Sequence, residues 1–509
     1  MIDKTCLFYL VWRDSYIRYK IRVKVFENKV FQEKFLVKLI DNHQYIANIS
    51  ETDKLDNGIF ICSSIRDTDN FIQYYNNQNK YAINDLKIEK DVIVQQLENS
   101  NSSNSRGGLI HDGVQRLTIF FTSSTCVGQG DQLPDSVTDL SLFRFGVGVN
   151  EFIDSILTNL PPKLRYLLVP DVVPSRCVLP DTMCNMYLSA TPEVFNCFVV
   201  PPNKVFKGCK LRVNSPESLQ WLHGRTWIIT VLLHPFPFDS RIITKNQIPA
   251  HIVKLEILYT DPKIQVGALP ASLQTLSVMG SLFVSIGTLP RHLKRLYLED
   301  CPSKLEKGIL PSSLRKLEIV RLNQSIDRGV LPDGLKTLVL PSLTLELEAG
   351  SLPNSLTWLS LDRYDVPLKS SILPSGLKVL IMSEYSGSFD QVVQLNSLEK
   401  LHVNKLDSSI ARVISNVVKI KLRFYELGRR ITLENTLIEN LILSCQSYPS
   451  RLPLLPRFLP LSLRCLTVKG MRIQSSDVIP NGCVYLKSDI KDLQQDLLPK
   501  SVKSNLYKG

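Results

Sequence analysis

Apolar residues recur along the chain with a period of about 21 residues. The pattern is clearest between residues 269 and 382, where each copy reads L-P-x-x-L-x-x-L-x-[LIVM]. Successive Leu-Pro pairs are separated by 20, 21, 21, 21 and 21 residues. The pairs begin at Leu269, Leu289, Leu310, Leu331, Leu352 and Leu373. Spacing this regular, with matched apolar positions in every copy, indicates a repeat protein.

The second half of each copy predicts a β-strand, because apolar and other residues alternate there with a period of two. The preceding Pro lacks an N–H group and favours an extended entry into that strand. A Gly lies two residues before the Leu in five copies and allows a tight turn. One unit cannot bury its own leucines, whereas stacked units bury them in a ladder of parallel strands about 4.8 Å apart. We therefore predict a repeat solenoid, mainly β, with a leucine-rich-repeat-like parallel sheet built from LPxxLxxLxL units.

The repeat also predicts how the chain is divided. Weaker copies extend the pattern in both directions, and we assign residues 108–509 to the solenoid. Residues 99–107 include the sequence NSNSSNS and predict a flexible Asn/Ser-rich linker. Residues 1–98 lack the repeat, and we expect them to form a small α/β N-terminal cap that covers the first solenoid unit.

The repeat resembles that of the FNIP repeat proteins, a leucine-rich-repeat-like family of social amoebae. The family's unit reads G-x-L-P-x-S-L-x-x-L-x-L and is followed by an F-N-x-P-I box. Copies of the box occur here at 322–326, 364–368 and 406–410, with a worn copy at 301–305, and none reads F-N-x-P-I in full. The resemblance implies the solenoid fold. It also implies that the first and last residues of each box are buried and that an Asn or Asp between them bonds the backbone of the turn.

The composition and the net charge limit the classes of molecule that are expected to bind this protein. Hydrophobic residues make up 44% of the chain, which excludes a wholly disordered protein. The net charge is +12, and such a surface is compatible with acidic proteins, nucleic acid or anionic membranes. The basic residues are dispersed, with no run of five or more and no RNA-recognition motif, so nucleic acid is the less favoured partner. We expect a protein partner, and the basic surface favours an acidic one.

The residue types that form catalytic and metal sites are scattered along the sequence. The 11 cysteines form no CxxC pair, and the seven histidines form neither HxH nor HExxH, the spacings typical of metal sites. No phosphate-binding or dinucleotide-binding glycine loop is present. We predict a protein that is not an enzyme and has no cofactor and no metal site. The sequence has no signal peptide and no apolar stretch long enough to span a bilayer, so a cytoplasmic location without a transmembrane segment is expected.

The predicted sheet face is the candidate partner-binding site. In L-x-x-L-x-L the leucines point inwards, so the second and third x positions face outwards in two rows. Trp358 would lie in an apolar patch with Val339 and Ile381, surrounded by basic residues, and patches of this kind mark interaction sites. An ordinary, well-solvated sheet face is the alternative. The candidate face consists of Lys254, Arg295, Lys316, Trp358, Lys400 and Lys419 in the first row, and of Tyr297, Val339, Ile381, His402 and Lys421 in the second.

Two other functions stay open from the sequence. In relatives of this architecture an N-terminal F-box would make the protein a substrate-recognition adaptor in ubiquitin transfer, but residues 1–60 show no convincing Leu-Pro-x-Glu opening. The basic face could instead bind nucleic acid or another anionic surface. The primary prediction is a non-enzymatic scaffold or binding module for another protein.

Overall fold

The computed structural model divides into two compact units, residues 1–231 and residues 232–509. The units are described separately below. The residues described are 15–26, 30–32, 49–89, 110–121, 133–144, 151–171, 175–235, 242–259, 261–447, 451–490, 493–502 and 504–507.

The first unit contains a ladder of parallel strands, each paired with the next along the ladder. They are Val30–Gln32, Phe60–Ile65, Asp85–Ile88, Arg116–Phe121, Asp139–Arg144, Tyr166–Leu168, Asn185–Ala190 and Phe206–Val213. A short parallel pair joins Cys177–Val178 and Phe198–Val199. The strand Ile228–Leu233 spans the division between the units. The helices are Ser15–Phe26, Glu51–Asp56, Thr68–Asn76, Glu151–Thr158, Pro192–Asn196 and Pro216–Leu222, with a 3-10 helix at Gln78–Ala82.

Parallel strands occur on both sides of the predicted linker. Asp85–Ile88 pairs with Arg116–Phe121 in parallel, so the ladder of the first unit already includes residues before position 99. Residues 99–107 lie outside the described part of the chain. The assignment of 1–98 to a cap, 99–107 to a linker and 108–509 to the solenoid stays a prediction. The division that the structure does give lies between Val231 and Leu232.

The second unit contains a longer ladder with a regular register. Its strands are Lys254–Ile257, Thr275–Ser281, Arg295–Asp300, Lys316–Arg321, Thr337–Val339, Trp358–Ser360, Val379–Met382, Lys400–Val403, Lys419–Phe424, Asn440–Cys445, Cys465–Lys469, Tyr485–Ser488 and Ser504–Tyr507. Short parallel pairs join Ile242–Ile243 to Lys263–Ile264, Lys405–Leu406 to Glu426–Leu427 and Leu452–Pro453 to Met471–Arg472. A helical turn spans Ile410–Val413, and a 3-10 helix spans Gln495–Leu497.

The core of the second unit is a ladder of apolar side chains. Leu296 pairs in register with Leu317, and Leu317 with Leu338, and all three are at most 1% exposed. Two residues further along the first two of these strands, Leu298 pairs with Ile319, and both are also buried. The alternation of buried and half-exposed positions matches the period of two in the sequence. The predicted fold class, a parallel leucine-rich-repeat-like β-solenoid, is therefore confirmed.

The turn before each of the six regularly spaced Leu-Pro pairs has a left-handed residue. The five predicted glycines have φ between 74° and 92°, a conformation that Gly adopts without the steric cost of a Cβ atom. They are Gly267, Gly287, Gly308, Gly329 and Gly350. Three turns without Gly have the same geometry: Asn246 (φ 66°), Ser371 (φ 63°) and Arg457 (φ 57°) lie two residues before the equivalent apolar residue. The left-handed turn is therefore kept in repeats that have lost the glycine.

In several copies of the repeat, a serine ties the unit to the one before it. Ser313 Oγ donates to the carbonyl oxygen of Leu293 at 2.7 Å, one repeat earlier. Ser355 donates in the same way to Leu335 O at 2.6 Å. Each accepting residue is the first apolar residue of its strand motif. Ser272 and Ser462 repeat the arrangement with the carbonyls of Ile252 and Ile438, at 2.6 and 2.9 Å.

The return segment is built on the five-residue box. The end residues of the box are buried, as expected: Leu322 and Ile326 are each 2% exposed, and Tyr364 and Leu368 are 0% and 3% exposed. Asp365 Oδ1 accepts from the backbone N–H of Ser386 at 2.9 Å, as the resemblance implies. In the box at 322–326 the residue that bonds a neighbouring turn is Gln324, whose side chain accepts from the Leu305 N–H of the preceding repeat at 2.7 Å. The bond of Asp365 runs instead to the following repeat.

Candidate partner-binding face

Two rows of side chains run across the strands of the second unit. The first row contains, in register order, Lys254, Thr275, Arg295, Lys316, Thr337, Trp358, Val379, Lys400 and Lys421. The second row contains Glu256, Ser277, Tyr297, Glu318, Val339, Ser360, Ile381, His402 and Arg423. Nine of the eleven residues predicted for the face therefore lie in the predicted rows.

The predicted rows are wrong at their C-terminal end. Lys421, and not Lys419, pairs with Lys400, so Lys421 belongs to the first row. The second row ends in Arg423, which the sequence prediction does not include. Lys419 is exposed and pairs instead with Asn440. The strand Lys419–Phe424 buries three apolar residues, so the L-x-L part of the motif can be placed on it in two ways, two residues apart. The structure pairs Leu401 with Leu422, which is the placement that keeps the repeat spacing.

Trp358 is the large exposed side chain near the middle of the first row. It is 39% exposed, and its strand pairs with Thr337–Val339 on one side and with Val379–Met382 on the other. The Lys400 ammonium lies 5.7 Å from the centre of the Trp358 ring, within the range of a cation–π contact. Val339 and Ile381, both half-buried, lie in the second row one strand away on either side.

The N-terminal part of the face is balanced in charge. Lys254 pairs with Glu256 at 2.5 Å, and Lys316 pairs with Glu318 at 3.1 Å. Arg321, at the end of its strand, pairs with Glu299 at 2.9 Å. Tyr297 lies between these groups, and burial together with the charges of Glu318 and Glu299 raises its pKa. Arg295 has no ion pair among the described residues, so the glutamates neutralise most, but not all, of the positive charge in this part of the face.

The C-terminal part of the face is not balanced. Lys400, Lys421 and Arg423, called here the basic cluster, lie on two paired strands. Within the described residues, no Asp or Glu side chain forms an ion pair with any of the three. Burial, followed by the charges of Arg423 and Lys421, lowers the pKa of Lys400. Burial is the larger cause of the lowered pKa, and the two neighbouring positive charges add to it.

His402 lies beneath the basic cluster. It is only 8% exposed, so it does not belong to the accessible face for which it was predicted. Its Nδ1 lies 3.3 Å from Ser383 Oγ, and Ser383 donates to Asp362 Oδ1 at 2.6 Å. Burial and the charges of Arg423 and Lys400 lower the pKa of His402 to about 4. The ring is therefore neutral at neutral pH, and it stacks against the Tyr425 ring with a centroid distance of 6.0 Å.

The part of the chain that the structure describes has no evident reactive centre. No three His, Cys, Asp or Glu side chains of these residues are grouped closely enough to hold a metal ion. Burial raises the pKa of Cys483 to about 11 and that of Cys177 to about 12, which suppresses the reactive thiolate form. No helix in these residues is both long enough and apolar enough to cross a bilayer.

Comparison with known proteins agrees with the repeat pattern. The FNIP Repeat family model matches residues 284–322, 322–363 and 346–385. No curated protein sequence matches the chain. Among solved structures, 28 chains match, including a crystal structure described as CroV588, a novel circular LRR protein. That match has 18% sequence identity and a TM-score of 0.36, and it covers 84% of this chain and 72% of the other. The matched segments lie within the ladder of the second unit, so the chain is an FNIP repeat-containing protein with a leucine-rich-repeat-like fold.

Proposed function

We propose that this protein is a non-enzymatic binding module that docks an acidic protein on the sheet face of residues 254–423. The observation that carries the proposal is Trp358, a large aromatic side chain left 39% exposed in a regular row of the sheet. Trp and Arg are the residue types most often responsible for binding energy at protein interfaces.

The surroundings of Trp358 suit an interface. Val339, Val379 and Ile381 give it apolar neighbours, whereas basic residues lie further along the face. An interface commonly has such an arrangement, with an apolar centre and a polar or charged rim. The unbalanced basic cluster begins at Lys400, which also contacts the Trp358 ring. An acidic partner would therefore contact the aromatic anchor and the positive end of the face together.

Nucleic acid fits the same face less well. A nucleic-acid surface needs cations that are free to replace the counterions of many phosphates. Here Lys254 and Lys316 are paired with glutamates of the same face, and those carboxylates would repel a phosphate backbone. An adaptor role in ubiquitin transfer would use the face in the same way as a scaffold, and the identity of captured partners distinguishes the two.

The test is affinity capture from the native cell with quantitative mass spectrometry. Wild type, Trp358→Ala and Phe283→Ala are compared; Phe283 is 66% exposed in the same unit but lies outside the two rows. We expect at least one acidic protein that is captured by wild type and Phe283→Ala and lost with Trp358→Ala. Its capture should fall only modestly with added salt, whereas nucleic-acid binding would fall steeply. Equal recovery of every protein with Trp358→Ala would contradict the proposal.

A further inference from the structure

We propose that the basic cluster, Lys400, Lys421 and Arg423, is a binding site for a phosphate monoester carried by a side chain of the docked protein. The inference rests on the proposed function, and it names the chemical group that the acidic partner brings to this end of the face. Three observations support it: the arrangement of the three cations, the lack of counter-charge, and a buried N–H donor without a partner.

The cations converge because of the strand register. Lys400 lies opposite Lys421 in the parallel pair, and Arg423 lies two residues further along the same strand as Lys421. Paired strands are about 4.8 Å apart, and alternate residues of a strand point to the same face. The three side chains therefore share one small area, where like charges destabilise the fold unless something neutralises them.

On the rest of the face most cations have a counter-charge, although Arg295, opposite Lys316 in the register, forms no ion pair among the described residues. Lys254, Lys316 and Arg321 each have a glutamate within 3.1 Å, supplied by their own strand or by the preceding one. In the residues described, the three members of the basic cluster have none. At the equivalent positions in the second row, where Glu256 and Glu318 stand in earlier repeats, the chain has His402 and Arg423.

Arg423 supplies the third observation. Its Nε atom is buried and has no hydrogen-bond partner among the described residues. A buried N–H donor without an acceptor costs free energy that an incoming oxygen would recover. The neighbouring His402 is neutral, because its pKa is lowered to about 4, so it does not add to the repulsion around the site at neutral pH.

The arrangement favours a phosphate monoester over a carboxylate. A phosphate monoester carries close to two negative charges and three acceptor oxygens at neutral pH. Three converging cations match that charge, whereas a single carboxylate would leave two of them unneutralised. An Arg fork beside lysines is a recurrent way to bind phosphorylated side chains. Because Lys400 also contacts Trp358, an apolar residue next to the phosphorylated one would lie on the aromatic ring.

The first experiment measures binding of inorganic phosphate and of O-phospho-L-serine to the full chain by calorimetry at constant ionic strength. We expect saturable binding in the millimolar range, and a loss of about tenfold or more in affinity for Lys421→Gln and for Arg423→Gln. Lys316→Gln is the matched control, because Lys316 lies in the same row but is paired with Glu318. It should bind as wild type does. No saturable binding, or equal affinity in the cluster variants and the control, would overturn the inference.

Stability measurements separate a binding role from a structural one. Removing one charge from the cluster relieves repulsion, so Lys421→Gln should melt at the wild-type temperature or above it while losing phosphate. If Arg423→Gln fails to fold, Lys421→Gln alone decides the question. A lower melting temperature for Lys421→Gln, with phosphate affinity unchanged, would show that the cluster is structural and would overturn the inference.

The second experiment identifies the source of the phosphate. Phosphatase treatment of the captured protein should weaken its binding to wild type about as much as Lys421→Gln does. Binding that depends on Trp358 but resists phosphatase would overturn this inference and leave the proposed function standing. Tight binding to vesicles that contain a phosphoinositide, with no effect of phosphatase on the protein partner, would overturn the assignment to a protein side chain.

Discussion

The serine that links successive repeats permits a sharp test of how the units stack. Ser312 and Ser313 are adjacent, but only the second is placed to bond the preceding repeat. Ser313 Oγ lies 2.7 Å from the carbonyl oxygens of both Arg291 and Leu293, whereas the neighbouring Ser312 is exposed. The pair of variants Ser313→Ala and Ser312→Ala therefore removes the same hydroxyl group with and without its inter-repeat bond.

The expected magnitude follows from the bonding. A hydroxyl has one hydrogen, so the two short distances represent one donated bond at a time. Losing that bond costs about 1 kcal/mol, and leaving the acceptor without a partner beside a buried Leu raises the cost to about 2 kcal/mol. Ser312→Ala should change the free energy of unfolding by less than about 0.5 kcal/mol. In a unit of this size the difference corresponds to a shift of about 2–5 °C in melting temperature.

The assay is urea unfolding of the full chain followed by circular dichroism, with the midpoints and slopes of the variants compared. Ser313→Thr is the restoring variant, because Thr182 occupies the equivalent repeat position and donates to Leu164 O at 2.7 Å. Ser313→Thr should therefore retain most of the free energy of unfolding that Ser313→Ala loses. Ser313→Ala with the same midpoint as Ser312→Ala would refute the role assigned to the serine.

Three further predictions test the core, the turn and a buried histidine. Leu317 is fully buried in the ladder, so Leu317→Ala should lose roughly 2–5 kcal/mol of stability, and a melt indistinguishable from wild type would count against the leucine ladder. Gly308 has φ 92° and open space where a Cβ would lie. Gly308→Ala should therefore cost about 1 kcal/mol from backbone strain alone, whereas Ser371→Gly should stabilise; opposite signs in urea unfolding would contradict this. His402 has its pKa lowered to about 4 by burial and by Arg423, so the unfolded chain, titrating near pH 6.5, takes up the proton first as the pH falls. This contribution to stability is present above about pH 6.5 and is lost towards pH 4, and His402→Gln should flatten the fall in melting temperature over that range; an unchanged slope would contradict it.

Much of the second unit is predictable because one constraint acts at every repeat. A strand that buries alternate residues must place Leu296, Leu317 and Leu338 in one row, so the near-constant repeat length specifies the register. The glycine turns follow in the same way, since a left-handed residue lies two positions before each of the six regularly spaced Leu-Pro pairs. The first unit is harder to predict because its spacing varies. Leu86 pairs with Leu117, and the segment between them is much longer than one repeat of the second unit, so no fixed period reveals the pair.

The candidate face is predictable in part. Position in the repeat is enough to place Trp358 in its row, and the exposed ring agrees with that placement. Arg423 is missed because the leucine motif also fits its strand at an earlier offset, although a step of one repeat length from His402 leads to it directly. The burial of His402 cannot be read from the sequence, because it depends on neighbouring strands that bring Arg423 and Tyr425 over the ring.

The most direct test of the binding role is a titration of the captured acidic protein against purified wild type, Trp358→Ala and Phe283→Ala. If the sheet face of the second unit is the docking surface, Trp358→Ala should lose about 2 kcal/mol or more of binding free energy, which corresponds to roughly thirtyfold in Kd. Phe283→Ala should bind as wild type does. Equal affinity for wild type and Trp358→Ala, or an equal loss in both variants, would contradict a partner docked on this face.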